Sequence, residues 1–207
     1  AGLLTYFPSK NYNFQFDDLA NIVKYFEIRN LTLSKIFFAN SRWISYWLNS
    51  NYYAYSKFDP AIYRLGNIFF HLLTGVLVFV LLWLILSRIK NNSFLRTYAY
   101  QIATFSSALF VLHPVQTQTV SYVIQGQLEG LACLFIILAS IIFLLSQYTK
   151  NVFHKFLLYI SLFTVLILSC GTKEIAIVSP ALLMLLDWFF VADASFKNFT
   201  KRIFLHS

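Results

Sequence analysis

The chain has 207 residues, of which 58% are hydrophobic and only 12% charged, and phenylalanine alone occurs 23 times. That much apolar surface exceeds what a soluble domain of this size can bury, so an ordinary globular protein is excluded and an all-α integral membrane protein is expected. The net charge of +8 does not point to nucleic acid, because much of it lies in short clusters beside apolar runs, where Lys and Arg meet anionic lipid headgroups.

Residues 1–10, AGLLTYFPSK, are too short to cross a bilayer and lack the basic start and apolar centre of a signal peptide. They read as the remnant of a first membrane helix, so the chain is expected to be an internal piece of a longer protein. Asp17 and Asp18 follow after six further residues. Two adjacent carboxylates raise one another's pKa, and a nearby low dielectric raises both further, so the pair is suited to hold a proton or a cation. Leu19, Ile22, Val23 and Phe26 then recur at helical spacing, which predicts an amphipathic helix that either acid could cap. A second helix is predicted over Ile36 to Asn49, with Ile36, Ala39, Trp43 and Trp47 on one face. It leads into the aromatic run Asn51 to Tyr55, and its Trp and Tyr content suits the headgroup level. Residues 11–66 thus form an outer amphipathic region.

Residues 67–190 read as a bundle of membrane spans: Asn67 to Ser87, Tyr98 to His113, Leu128 to Gln147, Phe156 to Ser169 and Ile175 to Phe190. Only Gly171 to Glu174 separate the last two, which predicts a tight hairpin. Residues 191–207 form a cytoplasmic tail. Arg88, Lys90 and Arg96, then Lys150 and Lys155, then Lys197, Lys201 and Arg202 occupy connectors on one side; the other side's connectors carry only Lys173. The positive-inside rule places the three clusters in the cytoplasm. Asp17–Asp18, the segment from His113 to Glu129, and Lys173–Glu174 then share the outer face.

Several residues stand out on chemical grounds. Pro114 interrupts the helix that carries His113, and Glu129 lies about one turn inside the next span. An acid at that depth needs a proton, a cation or a partner, Lys173 being the candidate for a structural pair. Arg64 closes the outer region against the first full span and is a candidate phosphate ligand or a snorkelling interfacial cation. His71 is expected to hydrogen-bond between helices. Cys133 and Cys170 lack metal-ligand spacing and read as buried thiols, and Asp187 as an interfacial acid. The middle of each span carries almost no ionisable group, which disfavours a transporter or channel.

Four segments taken together, FDDLANIV, RWISYWLNSNYYAYSKFDPAIYRLGNIFFHLLTG, LFVLHPVQTQTVSYVIQGQLEGLA and LSCGTKEIAIVSPALLMLLDWFF, resemble the membrane half of the tetratricopeptide-linked O-mannosyltransferase-like proteins. These belong to the polytopic GT-C glycosyltransferases, which use lipid-phosphate sugars. The resemblance implies a polytopic helix bundle with a helical first outer loop, a catalytic base at Asp17 with Asp18 beside it, and inversion at the anomeric carbon. The family's His-Pro-Val segment falls on His113, Pro114 and Val115. Its Arg-x-acid element falls on Gln127-Leu128-Glu129, with glutamine in the arginine's place, and its Ser-Lys-Glu element on Thr172-Lys173-Glu174.

The chemistry also follows from the residues. A sugar on a polyprenyl phosphate is already activated, because the departing phosphate is a stable anion. The protein must deprotonate an acceptor hydroxyl and stabilise the leaving group. Asp17 is the expected base; Asp18 or Glu129 would orient the acceptor or hold a divalent cation. Lys173 and Glu174, with His113 and Arg64, would engage the donor. The expected partners are membrane lipid, a polyprenyl-phosphate sugar and other membrane subunits, and the bacterial inner membrane is preferred to the endoplasmic reticulum. The rival reading is a non-catalytic membrane subunit that scaffolds a larger complex.

Overall fold

The computed structural model describes residues 1–30, 41–90, 92–197 and 200, with Glu27 and Asn30 described by backbone alone. Among the described residues there is no strand. Four helices among the described residues are long and apolar enough to cross a membrane: Pro60–Leu86 (α3), Val123–Tyr148 (α7), Val152–Cys170 (α8) and Glu174–Val191 (α9). Shorter helices are Gly2–Tyr6 (α1), Trp43–Ser56 (α2), Ser93–Thr97 (α4), Ala99–Leu112 (α5) and Thr117–Ser121 (α6).

The starts of these helices are written locally. The Asp59 carboxylate accepts the Ala61 N–H at 3.0 Å just before Pro60, so α3 begins seven residues ahead of the predicted Asn67. Asn92 and Asn151 cap α4 and α8 in the same way, accepting from Leu95 and His154. The span predicted from Tyr98 to His113 is a correction: α5 has 14 residues. At 1.5 Å per residue it reaches about 21 Å, short of the roughly 30 Å of a hydrocarbon core, because Pro114 ends it.

Helix α5 runs antiparallel to α3. His71 Nε2 meets the Val111 carbonyl at 3.1 Å, and Ser107 donates to the Gly75 carbonyl at 2.6 Å, which is the interhelical role expected of His71. Gly75 permits this approach, since a Cβ there would strike the Val111 side chain. Helix α7 is central. Its Ala139 and Leu144 are fully buried against Leu84 and Ile85 of α3, Leu162 and Val165 of α8, and Leu183 and Leu186 of α9. Gln147 lies 3.5 Å from the Tyr159 hydroxyl, so α8 returns antiparallel to α7 as the predicted hairpin partner of α9.

These pairings fix the two ends of the bundle. Leu86, Tyr148, Val152 and Val191 share one end, where Lys90 pairs with Asp193 at 2.5 Å and the Arg88 guanidinium lies 4.6 Å from the Tyr148 ring centre. Pro60, Leu112, Val123, Cys170 and Glu174 share the other, the site end. Helix α2 docks there on the α8–α9 turn, the Ile44 N–H donating to the Gly171 carbonyl at 2.9 Å. Gly171 is required by this contact, because a Cβ would lie 2.5 Å from the Trp43 ring nitrogen.

Three further expectations are corrected. Residues 19–30 form a π-turn, Leu19–Val23, and a 3-10 turn, Phe26–Asn30, in place of one amphipathic helix. Ile22 and Ile28 are both fully buried, with Tyr63 and Val123, while Leu19 and Phe26 are exposed. Residues six apart lie about 120° apart around a regular helix, too far for one narrow face, so the chain breaks between them to bury both. Cys170 is exposed because α8 lies at the edge of the bundle, and Cys133, on α7, is half-buried where it lines a cleft. Asp187 is buried. Ile36 and Ala39 of the second predicted helix, and Lys201 and Arg202, lie outside the described residues.

Candidate functional site

The site end gathers three segments far apart in sequence. Tyr122 interrupts the polypeptide between α6 and α7, leaving the first N–H groups of α7 without intrahelical partners. Asp18 supplies one. Its Oδ1 accepts the Ile124 N–H at 2.9 Å, and its Oδ2 accepts the Gln15 N–H at 3.2 Å. The side chain is 0% exposed. Asp18 therefore caps a helix 106 residues away and makes no side-chain bond to the turn that follows it. Its negative charge also meets the positive end of the α7 dipole.

Arg64 occupies the centre of this junction and is 1% exposed. Its Nε donates to the Ser121 carbonyl at 2.8 Å, Nη2 to the Asn13 carbonyl at 2.7 Å, and Nη1 to the Tyr12 carbonyl. The guanidinium is spent on three backbone acceptors, which leaves little of it for a substrate phosphate. Asn67, one turn further on, donates to the Val123 carbonyl at 2.9 Å. Gly126 makes room for it, since a Cβ there would overlap the Asn67 amide.

Asp17 differs from its neighbour. Its N–H donates to the Tyr122 hydroxyl at 2.7 Å, and its carbonyl accepts from Asn21 at 2.9 Å. The exposed Asp17 carboxylate makes no hydrogen bond or ion pair among the described residues.

Glu129 sits in a π-turn, Gly126–Gly130, inside α7. Such turns re-aim side chains and recur at functional positions. Glu129 pairs with Lys173, as the structural alternative anticipated, and the Gln125 amide, turned nitrogen-first, stands 2.8 Å from both carboxylate oxygens. Five residues separate Glu129 from the Asp18-bound Ile124, about 7.5 Å along the helix axis. A cleft of about 190 Å³ opens beside it, lined by Asn67, His71, Thr119, Glu129 and Cys133 among others. Glu174, next to Lys173, is held by Arg42 Nε at 2.9 and 3.1 Å and by the Ser41 hydroxyl at 3.2 Å. Asp17, Asp18, Glu129, Lys173, Glu174 and Arg64 thus share one end of the bundle. His113 lies at that end too, but its Nδ1 accepts the Val115 N–H at 3.2 Å and caps the Pro114 turn.

The sequence reading missed Arg42, Ser45, Asn49, Tyr122 and the burial of Gln127. Ser45 donates to the Gln127 carbonyl at 2.5 Å, tying α2 to the π-turn. Asn49 and Gln127 are fully buried, and their side-chain amides find no partner among the described residues. Groups of that kind cost about 1–3 kcal/mol each, so they mark this interior as specialised. Arg42 left one signal: a cation at a helix N-terminus opposes the dipole and needs an anionic partner. No three His, Cys, Asp or Glu side chains group as metal ligands among the described residues. The buried, doubly bonded Asp18 and the paired Glu129 do not suit the divalent cation considered from sequence.

Burial raises the Asp18 pKa above the ordinary carboxylate range, the Ile124 and Gln15 N–H groups and the Arg64 charge opposing it only in part. The folded chain then keeps a proton that the unfolded chain releases near pH 3.9. Stability is expected to fall as pH rises from there through the raised value, and to level off above it. Thermal unfolding in detergent from pH 3.5 to 7 checks this; an equal slope in Asp18→Asn would assign it to other groups.

No protein-family model, curated protein or solved structure matches this chain.

Proposed function

We propose that the chain is the membrane part of a GT-C glycosyltransferase that moves a sugar from a polyprenyl phosphate to an acceptor hydroxyl. The observation that carries this reading is the uncommitted carboxylate of Asp17 at the end of the bundle that also holds the Lys173–Glu129 pair. Asp17 takes the acceptor's proton as its oxygen bonds to the anomeric carbon. The bond from that carbon to the phosphate oxygen breaks, its electron pair leaving with the phosphate, whose charge Lys173 meets. Attack opposite the leaving group inverts the anomeric centre. Arg88, Lys90, Arg96, Lys150 and Lys155 fill the short connectors at the other end of the bundle, and the positive-inside rule, applied to the connectors between spans, supports an outward-facing site; the site end's cations other than Lys173 lie in residues 1–66. A bacterial inner membrane is the preferred location.

The test supplies the chain, in lipid nanodiscs, with a radiolabelled polyprenyl-phosphate sugar and hydroxyl acceptors. Release of polyprenyl phosphate that depends on acceptor supports the proposal. Absence of release across acceptors counts against it.

One observation favours the second reading, a non-catalytic scaffold subunit: Asp18, Arg64, Glu129, Lys173 and Glu174 all have internal partners. Under that reading, extraction in mild detergent yields a stoichiometric complex that consumes no lipid-linked sugar.

A further inference from the structure

A second cleft at the site end, about 400 Å³, is lined by Arg64 and shares no lining residue with the Glu129 cleft. We infer that this cleft, walled by Tyr12, Phe16 and Tyr122 and edged by Gln15, Thr117 and Gln118, binds a neutral hexose. It deepens the transferase reading by placing an acceptor sugar beside Asp17, and it rests on that reading only for the acceptor role.

The lining fits this ligand class on three counts. The first is an aromatic wall. Phe16 is 81% exposed, and its backbone lies in the left-handed region at φ 47°, which bulky residues seldom adopt. Its ring stands edge-on to Tyr122, with centres 6.1 Å apart, and Tyr12 is also exposed. Apolar rings of this kind cover the C–H face of a pyranose.

The second is a set of uncommitted neutral hydrogen-bonding groups. The side chains of Gln15, Thr117, Gln118 and Ser121 make no hydrogen bond among the described residues. The Tyr122 hydroxyl accepts from Asp17 and keeps its own proton to donate. Amides and hydroxyls can each donate and accept, as sugar hydroxyls do. The third is the absence of an available charge in the lining. Arg64, its one cation among the described residues, is bound to three carbonyls. That disfavours phosphates, acidic sugars and charged peptides. A peptide adding as a strand would need a sheet edge, and the described residues contain no strand.

The experiment is saturation-transfer NMR on the full chain in nanodiscs, irradiating aromatic protons, with methyl glucoside, galactoside and mannoside and their trisaccharides as probes. Transfer to the ring protons of at least one probe is expected. Gln118→Ala, an exposed change, and Phe16→Gly, which suits the left-handed backbone, are each expected to weaken it about tenfold. Thr149→Ala, at the other end of the bundle, leaves it unchanged. No transfer to any probe overturns the inference, as does unaltered transfer in the Phe16→Gly, Gln118→Ala double variant. Binding of uncharged peptides that displaces no sugar and is lost in that double variant would assign the cleft to peptide instead. Asp17→Asn is expected to retain sugar binding, so loss of turnover and loss of this cleft remain separable.

Discussion

Arg64→Ala is expected to destabilise the folded chain by about 4 kcal/mol, the largest stability effect of any single change at the site end. The substitution removes a buried cation that donates to the Ser121, Asn13 and Tyr12 carbonyls. It leaves those acceptors desolvated and takes away the positive charge that faces Asp18. Arg64→Lys keeps the charge but lacks the planar fork that reaches three separate acceptors, so it is expected to cost about half as much. Thermal unfolding in detergent reads both values. Limited proteolysis adds a local readout, because the Tyr12–Asp18 segment is pinned to the α6–α7 junction chiefly by Arg64 and Asp18. Cleavage there should rise in Arg64→Ala at temperatures where the core around Leu144 is intact. If both variants melt with the parent chain, Arg64 is not the hub that its contacts indicate.

The same residue shows where sequence reading reached its limit. Long apolar runs announce α3, α7, α8 and α9 because burial in lipid or in a helix bundle demands them, and the four-residue gap at Gly171–Glu174 announces the hairpin. The convergence of Asp17–Asp18, Glu129 and Lys173–Glu174 at one end follows from counting spans, and it survives although α5 is too short to cross a membrane by itself: a helix of any length still reverses the chain. The Glu129–Lys173 pair was among the alternatives because an acid at that depth needs a partner.

What stayed hidden is side-chain-to-backbone bonding between distant segments. Asp18 capping Ile124, Arg64 holding Tyr12 and Ser45 meeting Gln127 have no period and no motif, since a carbonyl belongs to every residue. The burial of Ile22 and Ile28 together was hidden for a related reason. Their six-residue spacing is wrong for one helical face, and only the tertiary surface of Tyr63 and Val123 selects the broken backbone that buries both.

Asp17→Asn is expected to lower sugar transfer about a thousandfold while leaving the melting temperature within a degree or so of the parent. The exposed carboxylate supports no described contact, and the Asp17 N–H and carbonyl, which bond Tyr122 and Asn21, survive the change. Asparagine keeps the shape and loses only the capacity to take a proton. Asp17→Glu restores that capacity at the end of a longer arm, so part of the rate should return. Asp18→Asn supplies the contrast. Its amide can still offer an oxygen to the Ile124 N–H, but its NH2 then confronts the Gln15 N–H, donor against donor. Stability should drop, with activity falling only as folded protein is lost. A general base gives loss of rate without loss of fold at Asp17, and a structural cap gives the reverse at Asp18. Two adjacent carboxylates are thereby separated by one difference: Asp18 is enclosed by N–H donors, whereas the Asp17 carboxylate is exposed and unpaired. Transfer that is equally fast in Asp17→Asn would remove the base from the proposed mechanism and move the weight to the scaffold reading.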